Sequence, residues 1–200
     1  MQQARSRGLE VRMRKVTFGG ANSLDNFIAR KDGAYDWLMW SDEAAAIMAA
    51  YWKTIDTILW GRKTYEVAIR ASKGESPNRG MKSYVFSKTL KPDAHPHVTI
   101  VPGDAAEFVR RLKSEPGKDI CLMGGGEIAN PLFEAGLIDE VGFNIHPVLL
   151  GSGIPLFLPM SRQIDLELLE SNTFKNGCVY VRYRVANKAP RKPGSAKLKK

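Results

Sequence analysis

Twice in this chain a short apolar run breaks at glycine and continues as a helix. Thr54–Trp60 runs into Gly61-Arg62-Lys63-Thr64-Tyr65-Glu66, and Asp119–Met123 runs into Gly124-Gly125-Gly126-Glu127-Ile128. A strand that feeds a helix through glycine is the βα unit, and a chain that repeats it is committed to an α/β architecture. Further strands are expected over Arg14–Ala21, Met81–Phe86, His97–Val101 and Glu140–His146. Two last strands, Leu166–Phe174 and Gly177–Val185, flank the hairpin signal Asn176-Gly177. Ser41 caps a helix reaching about Trp52, and Asp104 caps an amphipathic helix over Asp104–Lys113. The pattern predicts a sheet that starts parallel and ends in an antiparallel hairpin. Asn22–Trp40 reads instead as a long run of turns held by aromatic anchors, the kind of segment that is usually functional.

Charge gives a misleading first impression. The 200 residues hold 30 Lys and Arg against 21 Asp and Glu, a formal charge of +9. Once residues 1–15 and 186–200 are set aside, 19 basic and 20 acidic residues remain, so the body is nearly neutral. A basic groove for nucleic acid is not expected, whereas flexible cationic ends are. The expected organisation is a basic segment over 1–13, one folded domain over 14–185 and a disordered basic tail over 186–200. No apolar run approaches the roughly 18–20 residues of a membrane span, and the start lacks the apolar region of a signal peptide, so a cytoplasmic protein is expected. Cys121 and Cys178 sit in β-like apolar runs as small buried hydrophobes. His95, His97 and His146 have no metal-ligand spacing, and no metal is expected.

The two glycine junctions carry the first chemical signal. Helix N-termini present unpaired N–H groups that bind phosphate, and Arg62 or Lys63 would add charge-assisted contacts. With Ser87-Lys88 after a third strand, the pattern points to a ligand with more than one phosphate, as in a dinucleotide. The spacing matches neither the Rossmann fingerprint nor a phosphate-loop NTPase.

The ordered set Ser23-Leu24-Asp25-Asn26-Phe27-Ile28-Ala29, Gly61–Glu66, Phe86-Ser87-Lys88-Thr89-Leu90, Gly124–Glu127, Gly136-Leu137-Ile138-Asp139-Glu140 and Pro147–Gly153 resembles the dihydrofolate-reductase-like superfamily. The closer resemblance is to the reductase domain of riboflavin-biosynthesis deaminase-reductases, over residues 14–185. It implies a three-layer α/β sandwich with a mixed, mainly parallel central sheet, helices on both faces, and NADPH across the strand ends. By resemblance Gly61, Arg62, Lys63 and Thr64 meet the cofactor diphosphate, and Ser87 and Lys88 lie near the adenosine 2′-phosphate. Gly124, Gly125, Gly126, Glu127 and Ile128 form the turn beneath the nicotinamide ribose, and Ser23–Ala29 is a loop closing over the nicotinamide.

The same resemblance nominates the catalytic and substrate-binding groups. In dihydrofolate reductases a loop tryptophan precedes by five positions a helix carboxylate that assists protonation, a spacing that Trp37 and Asp42 reproduce. Ser41-Asp42-Glu43 is also an ordinary helix start. Asp25 is the second catalytic candidate, with Phe27 beside it as a substrate contact, although Asn26 stands where the riboflavin branch usually has glycine. Asp139-Glu140 read as turn and strand-edge residues. The expected activity is NADPH-dependent hydride transfer to a small heterocyclic or ribosylamino substrate, most like 5-amino-6-(5-phosphoribosylamino)uracil reduction. Dihydrofolate reduction, a non-catalytic NADP(H)-binding protein of this fold, and tails that bind nucleic acid or membrane remain the alternatives. Relatives are often dimers, so the resemblance includes a homodimer among the partners.

Overall fold

The computed structural model describes residues 12–73, 75 and 80–186. Most of both basic ends, and most of the connection between Lys73 and Gly80, lie outside the described residues. In chain order the elements are β1 Val16–Ser23, β2 Phe27–Ala29, α1 Asp42–Trp52, β3 Ile55–Gly61, α2 Arg62–Ala71, β4 Lys82–Phe86 and β5 Thr99–Val101. There follow α3 Ala105–Ser114, β6 Asp119–Met123, α4 Gly126–Glu134, β7 Glu140–His146, β8 Ile154–Pro155, β9 Leu166–Thr173 and β10 Val179–Val185.

Eight strands form one sheet in the order β5-β4-β3-β6-β1-β7-β10-β9. The pairings from β5 to β7 are parallel, and β10 pairs antiparallel with both β7 and β9. The β9–β10 hairpin turns at Lys175-Asn176-Gly177, where Gly177 takes φ +85° and donates its N–H to the Phe174 carbonyl at 3.0 Å. An L-residue with a side chain is strained at that φ, which is why glycine follows the asparagine. β2 and β8 pair with each other as a separate two-stranded ladder. That ladder was not expected: three residues opposite two carry too little alternation to be seen in a sequence.

Alternation along the strands divides the core between two faces. Val16, Phe18, Leu59, Ile120, Leu122, Val141 and Phe143 pack with α3 and α4 residues such as Val109, Leu112, Leu132 and Phe133. Ile58, Trp60, Val85 and Cys121 face the other way, toward α2 and the end of α1. Helices therefore cover both faces, as the sequence implied. Phe18 is fully buried and meets Phe133, Phe143 and Phe157 edge to face, with ring centroids 5.3–6.0 Å away.

Polar groups that cannot reach water pair off where β1, β3 and β7 begin. Arg14, 2% exposed, is held by Asp56, by Thr57 Oγ1 and by the Lys118 carbonyl at 2.6 Å. Asp139 accepts from the Val16 N–H at 2.7 Å and from Lys113, and Glu140 accepts from Lys15 at 2.6 Å and Arg182 at 3.1 Å. Asp139 and Glu140 are thus structural acids at the end of the sheet away from the glycine junctions. Phe18→Ala should cost about 3–5 kcal/mol, from lost transfer energy and the cavity left among three rings; denaturant unfolding measures this, and a loss below about 1 kcal/mol would mean that the cluster is not the keystone of this face.

Candidate active site

Parallel strands present their carboxyl ends to one side, and in open α/β sheets that edge is where ligands bind. Here β3 and β6 are neighbours, so the junctions they feed lie side by side. A Cβ on Gly61 would come within 3.7 Å of the Gly124 Cα, and one on Gly124 would lie 3.4 Å from the Gly61 nitrogen and 2.5 Å from Ile128 Cγ2. A Cβ on Gly126 would meet Leu158 at 2.7–2.8 Å. Glycine is required at Gly124 and Gly126 because neighbouring chain already occupies the place of a side chain.

The N-termini of α2 and α4 consequently open on one cleft of about 700 Å³. The α-helices differ in how they begin. Ser41 accepts from the Ala44 N–H at the start of α1, and Asp104 accepts from Ala106 and Glu107 at the start of α3. α2 and α4 start at Gly61 and Gly125 with no side-chain cap. Two sets of aimed, uncapped amides therefore face the same space, together with the positive ends of two helix dipoles.

All eleven residues expected at a cofactor line this cleft: Gly61, Arg62, Lys63, Thr64, Ser87, Lys88, Gly124, Gly125, Gly126, Glu127 and Ile128. Their charges are unequally committed. Arg62 pairs with Glu66 at 2.9 Å along α2, and Lys63 reaches Glu127 at 3.0 Å across the two helix starts. Lys88 is exposed and has no ion-pair partner among the described residues. The Ser87 hydroxyl is occupied as an acceptor for the Thr89 and Leu90 N–H groups, at 3.1 and 3.0 Å, and so shapes the turn that presents Lys88.

A second cavity, about 280 Å³, lies between α1 and the sheet and shares Gly19, Gly20, Ala21, Leu38 and Met123 with the cleft. It exists because this face lacks bulk. Thr17, Gly19 and Ala21 alternate along β1, and Gly142, Asn144 and His146 along β7, where a helix-covered face would ordinarily carry branched apolar residues. None of the residues of α1 is buried. His146 is 1% exposed, its Nδ1 accepts the Met39 backbone N–H at 3.1 Å, and its Nε2 lies 3.2 Å from the Asn144 side-chain amide. Burial lowers the His146 pKa and pushes the Cys121 thiol up to about 12, leaving one neutral and the other protonated.

The expected catalytic and substrate residues fall elsewhere. Asp42 is exposed at the first position of α1 and lines neither cavity. Asp25 lines neither either: its carboxylate accepts from Ser23 Oγ at 2.6 Å, Gly151 N at 2.7 Å and Leu150 N at 3.1 Å. Those donors, the Ser23 hydroxyl first, hold its pKa below the ordinary carboxylate value. Asp25 thus fastens the turn after β1 to the loop before β8. Asn26 adopts φ +64°, the conformation for which glycine is the usual choice and which asparagine tolerates best among the others. Strand alternation explains Phe27, which packs on Gly153 while its neighbour Ile28 faces Gly125 and the cleft. Trp37 is buried edge-on against His146, 5.3 Å between centroids, and supports the second cavity from behind. Tyr51, Asn144 and Tyr180, which do line that cavity, drew no attention in the sequence, and His146 was weighed only as a metal ligand; the signal was the period-two run Gly142-x-Asn144-x-His146.

Residues 14–180 match the profile of the RibD C-terminal domain. The chain belongs to that family. Two Bacillus subtilis relatives of this RibD-type domain are the uncharacterized proteins YyaP and YwjB. YyaP is 33% identical over 86% of this chain and 96% of its own, and YwjB is 37% identical over 80% and 92%. A Shewanella protein provisionally assigned to riboflavin biosynthesis has the same fold, with TM-score 0.74 and 23% identity over 86% of this chain and 98% of its own. The Thermotoga maritima diaminohydroxyphosphoribosylaminopyrimidine deaminase/5-amino-6-(5-phosphoribosylamino)uracil reductase superposes with TM-score 0.64 at 17% identity, covering 86% of this chain and 57% of that one. The RibD C-terminal domain is a reductase-type domain, and among the described residues of this one no group of three His, Cys, Asp or Glu could hold a metal and no helix is long and apolar enough to cross a membrane.

The buried His146 gives the domain a pH signature. Its folded pKa lies below the ordinary 6.5, so below that value the unfolded chain takes up a proton that the folded state refuses. Stability is therefore fully present above the ordinary histidine value and falls as pH drops through it. His146→Gln should flatten the slope of unfolding free energy between about pH 7 and pH 5, and an unchanged slope would remove His146 as its source.

Proposed function

We propose that the protein is an NADPH-dependent reductase that transfers hydride to a small ring substrate. The observation that carries this reading is the pair of uncapped helix N-termini meeting at Gly61 and Gly124, with Lys88 beside them. The crowding around these glycines lets backbone amides, unscreened by side chains, line the cleft, which suits a diphosphate. Gly61, Arg62, Lys63 and the Gly124–Glu127 turn would hold the diphosphate, and Lys88 the 2′-phosphate that distinguishes NADPH from NADH. The bound cofactor supplies a hydride from its dihydronicotinamide ring; the protein's share is binding, orientation and exclusion of water.

The reacting carbon is expected at the junction of the two cavities. Gly20 is exposed although β1 is an interior strand, because it has no side chain and a Cβ there would meet nothing within 4 Å. It is the point of the sheet where two ligands could touch. On this reading Asp25 is a positioning residue for the segment carrying Ile28 and Ala29, and Asp42 has no contact with the reacting atoms. A small-molecule substrate and a cytoplasmic setting go with this assignment.

NADPH titration followed by its fluorescence tests the reading directly: binding is required, and its absence would end the proposal. Lys88→Ala should weaken NADPH about tenfold while leaving NADH unchanged, the value expected for loss of one charge-assisted contact. Glu127→Gln should do the reverse. By releasing Lys63 from an exposed ion pair worth about 0.2–1 kcal/mol, it should tighten NADPH by a factor of about 1.4 to 5.

A further inference from the structure

We infer that the cavity beneath α1 takes an uncharged, apolar ring compound without a phosphate group, and that the substrate of this chain belongs to that class. The inference rests on the reductase reading for the word substrate. As a binding statement it stands on the cavity alone.

Charge is the first argument. No Asp, Glu, Lys or Arg is among the lining residues. Two cations, Arg182 and Lys175, lie close in sequence to its lining residues, and neither lines it. Arg182, two residues from Tyr180 on the same side of β10, is held between Glu140 at 3.1 Å and Glu170 at 3.2 Å. Lys175 follows the lining residue Phe174 at the hairpin tip and is exposed. It faces Glu43, whose carboxyl stays below its ordinary value through its own backbone N–H and, after that, the N–H and ammonium of Lys175. A phosphate brought into this space would lose hydration with no cation in the lining to replace it.

The second argument is where the polar atoms point. The wall contains Asn144, His146 and Tyr51, yet their polar ends do not reach its surface. His146 is 1% exposed, and both the Tyr51 hydroxyl and the Asn144 amide oxygen are shut away from solvent. The Tyr51 hydroxyl turns toward Cys121 and Thr17 within the wall. Most of what faces the cavity is carbon and sulfur: the side chains of Leu38, Met39, Ile47, Met48 and Met123 with the bare backbone of Gly19 and Gly142, the Tyr180 hydroxyl beside Gly142 being a polar exception. A ribose phosphate would find almost no partners there, whereas a ring face would find dispersion contact on two sides.

Size completes the case. At about 280 Å³ the cavity lies just under the roughly 300–1,000 Å³ usual for ligand sites. It suits a one- or two-ring compound. The three methionines around it, Met39, Met48 and Met123, can adjust to different ring outlines.

A matched pair of probes isolates the phosphate: 1-naphthol and 1-naphthyl phosphate, titrated against the full chain by calorimetry. The expected result is that 1-naphthol binds at least about tenfold more tightly. Ala45→Phe, which fills the cavity from the α1 side, should abolish that binding, and Met48→Arg, which puts a cation in the wall, should reverse the preference. NADPH titration of the same variants should be unchanged, which shows that they fold. In parallel, 5-amino-6-(5-phosphoribosylamino)uracil should fail to support NADPH oxidation. Equal or tighter binding of the phosphate ester, binding of neither probe, or rapid oxidation with the phosphoribosyl compound would overturn the inference. If 1-naphthol binds while NADPH does not, the cavity assignment stands and the reductase reading falls.

Discussion

The candidate site depends on a strand that carries no side chain at two successive positions in its middle, Gly19 and Gly20. β1 runs through the middle of the sheet, and its first half behaves as core, with Val16 and Phe18 fully buried. At Gly19 the neighbouring β7 comes so close that a Cβ would lie 2.7 Å from the Gly142 carbonyl oxygen. Gly20 and Ala21 extend the gap. The carboxyl end of the central strand is therefore a floor rather than a wall, and the two cavities meet over it. A larger residue at Gly19 would push β7 away and disturb Asn144 and His146 beyond it, so the shape of the floor and the register of the sheet are one constraint.

A second division of labour separates the two ends of the sheet. At the amino ends each ion pair has at least one buried member: Arg14 with Asp56, Lys113 with Asp139, Glu140 with Lys15 and Arg182. Such pairs cost much to break and little to leave alone. At the carboxyl ends of β3, β4 and β6 the pairs are exposed and exchangeable, as between Lys63 and Glu127, each more than half exposed.

What the sequence made legible follows from how local each signal is. β6 and β7 have the expected bounds, because a run of buried residues between turn signals is defined by its own composition. The glycine junctions were legible for the same reason, and the structure adds only that they touch. The ladder of Phe27–Ala29 with Ile154–Pro155 was hidden, since its partners are far apart in the chain and too short to alternate. The two carboxylates line neither cavity, since a five-residue spacing says nothing about orientation. Asp42 sits where a helix start wants an acid, and Asp25 has three donors of its own. The cavity was the least legible feature, being made of residues that are individually unremarkable: a glycine, an asparagine and a histidine on one strand, alanines on a helix some hundred positions earlier.

That helix has a thermodynamic consequence. α1 is capped by Ser41 and tied to the β9–β10 hairpin through Glu43, but it buries no residue of its own. An eleven-residue helix in water is marginal without tertiary packing. Apolar surface covered by an occupant would give α1 the hydrophobic interior that the chain itself does not provide, adding heat capacity change and cooperativity that belong to the complex. On the proposed reading the last layer of the core is not encoded in the polypeptide: a small molecule beneath α1 would complete the packing of this face.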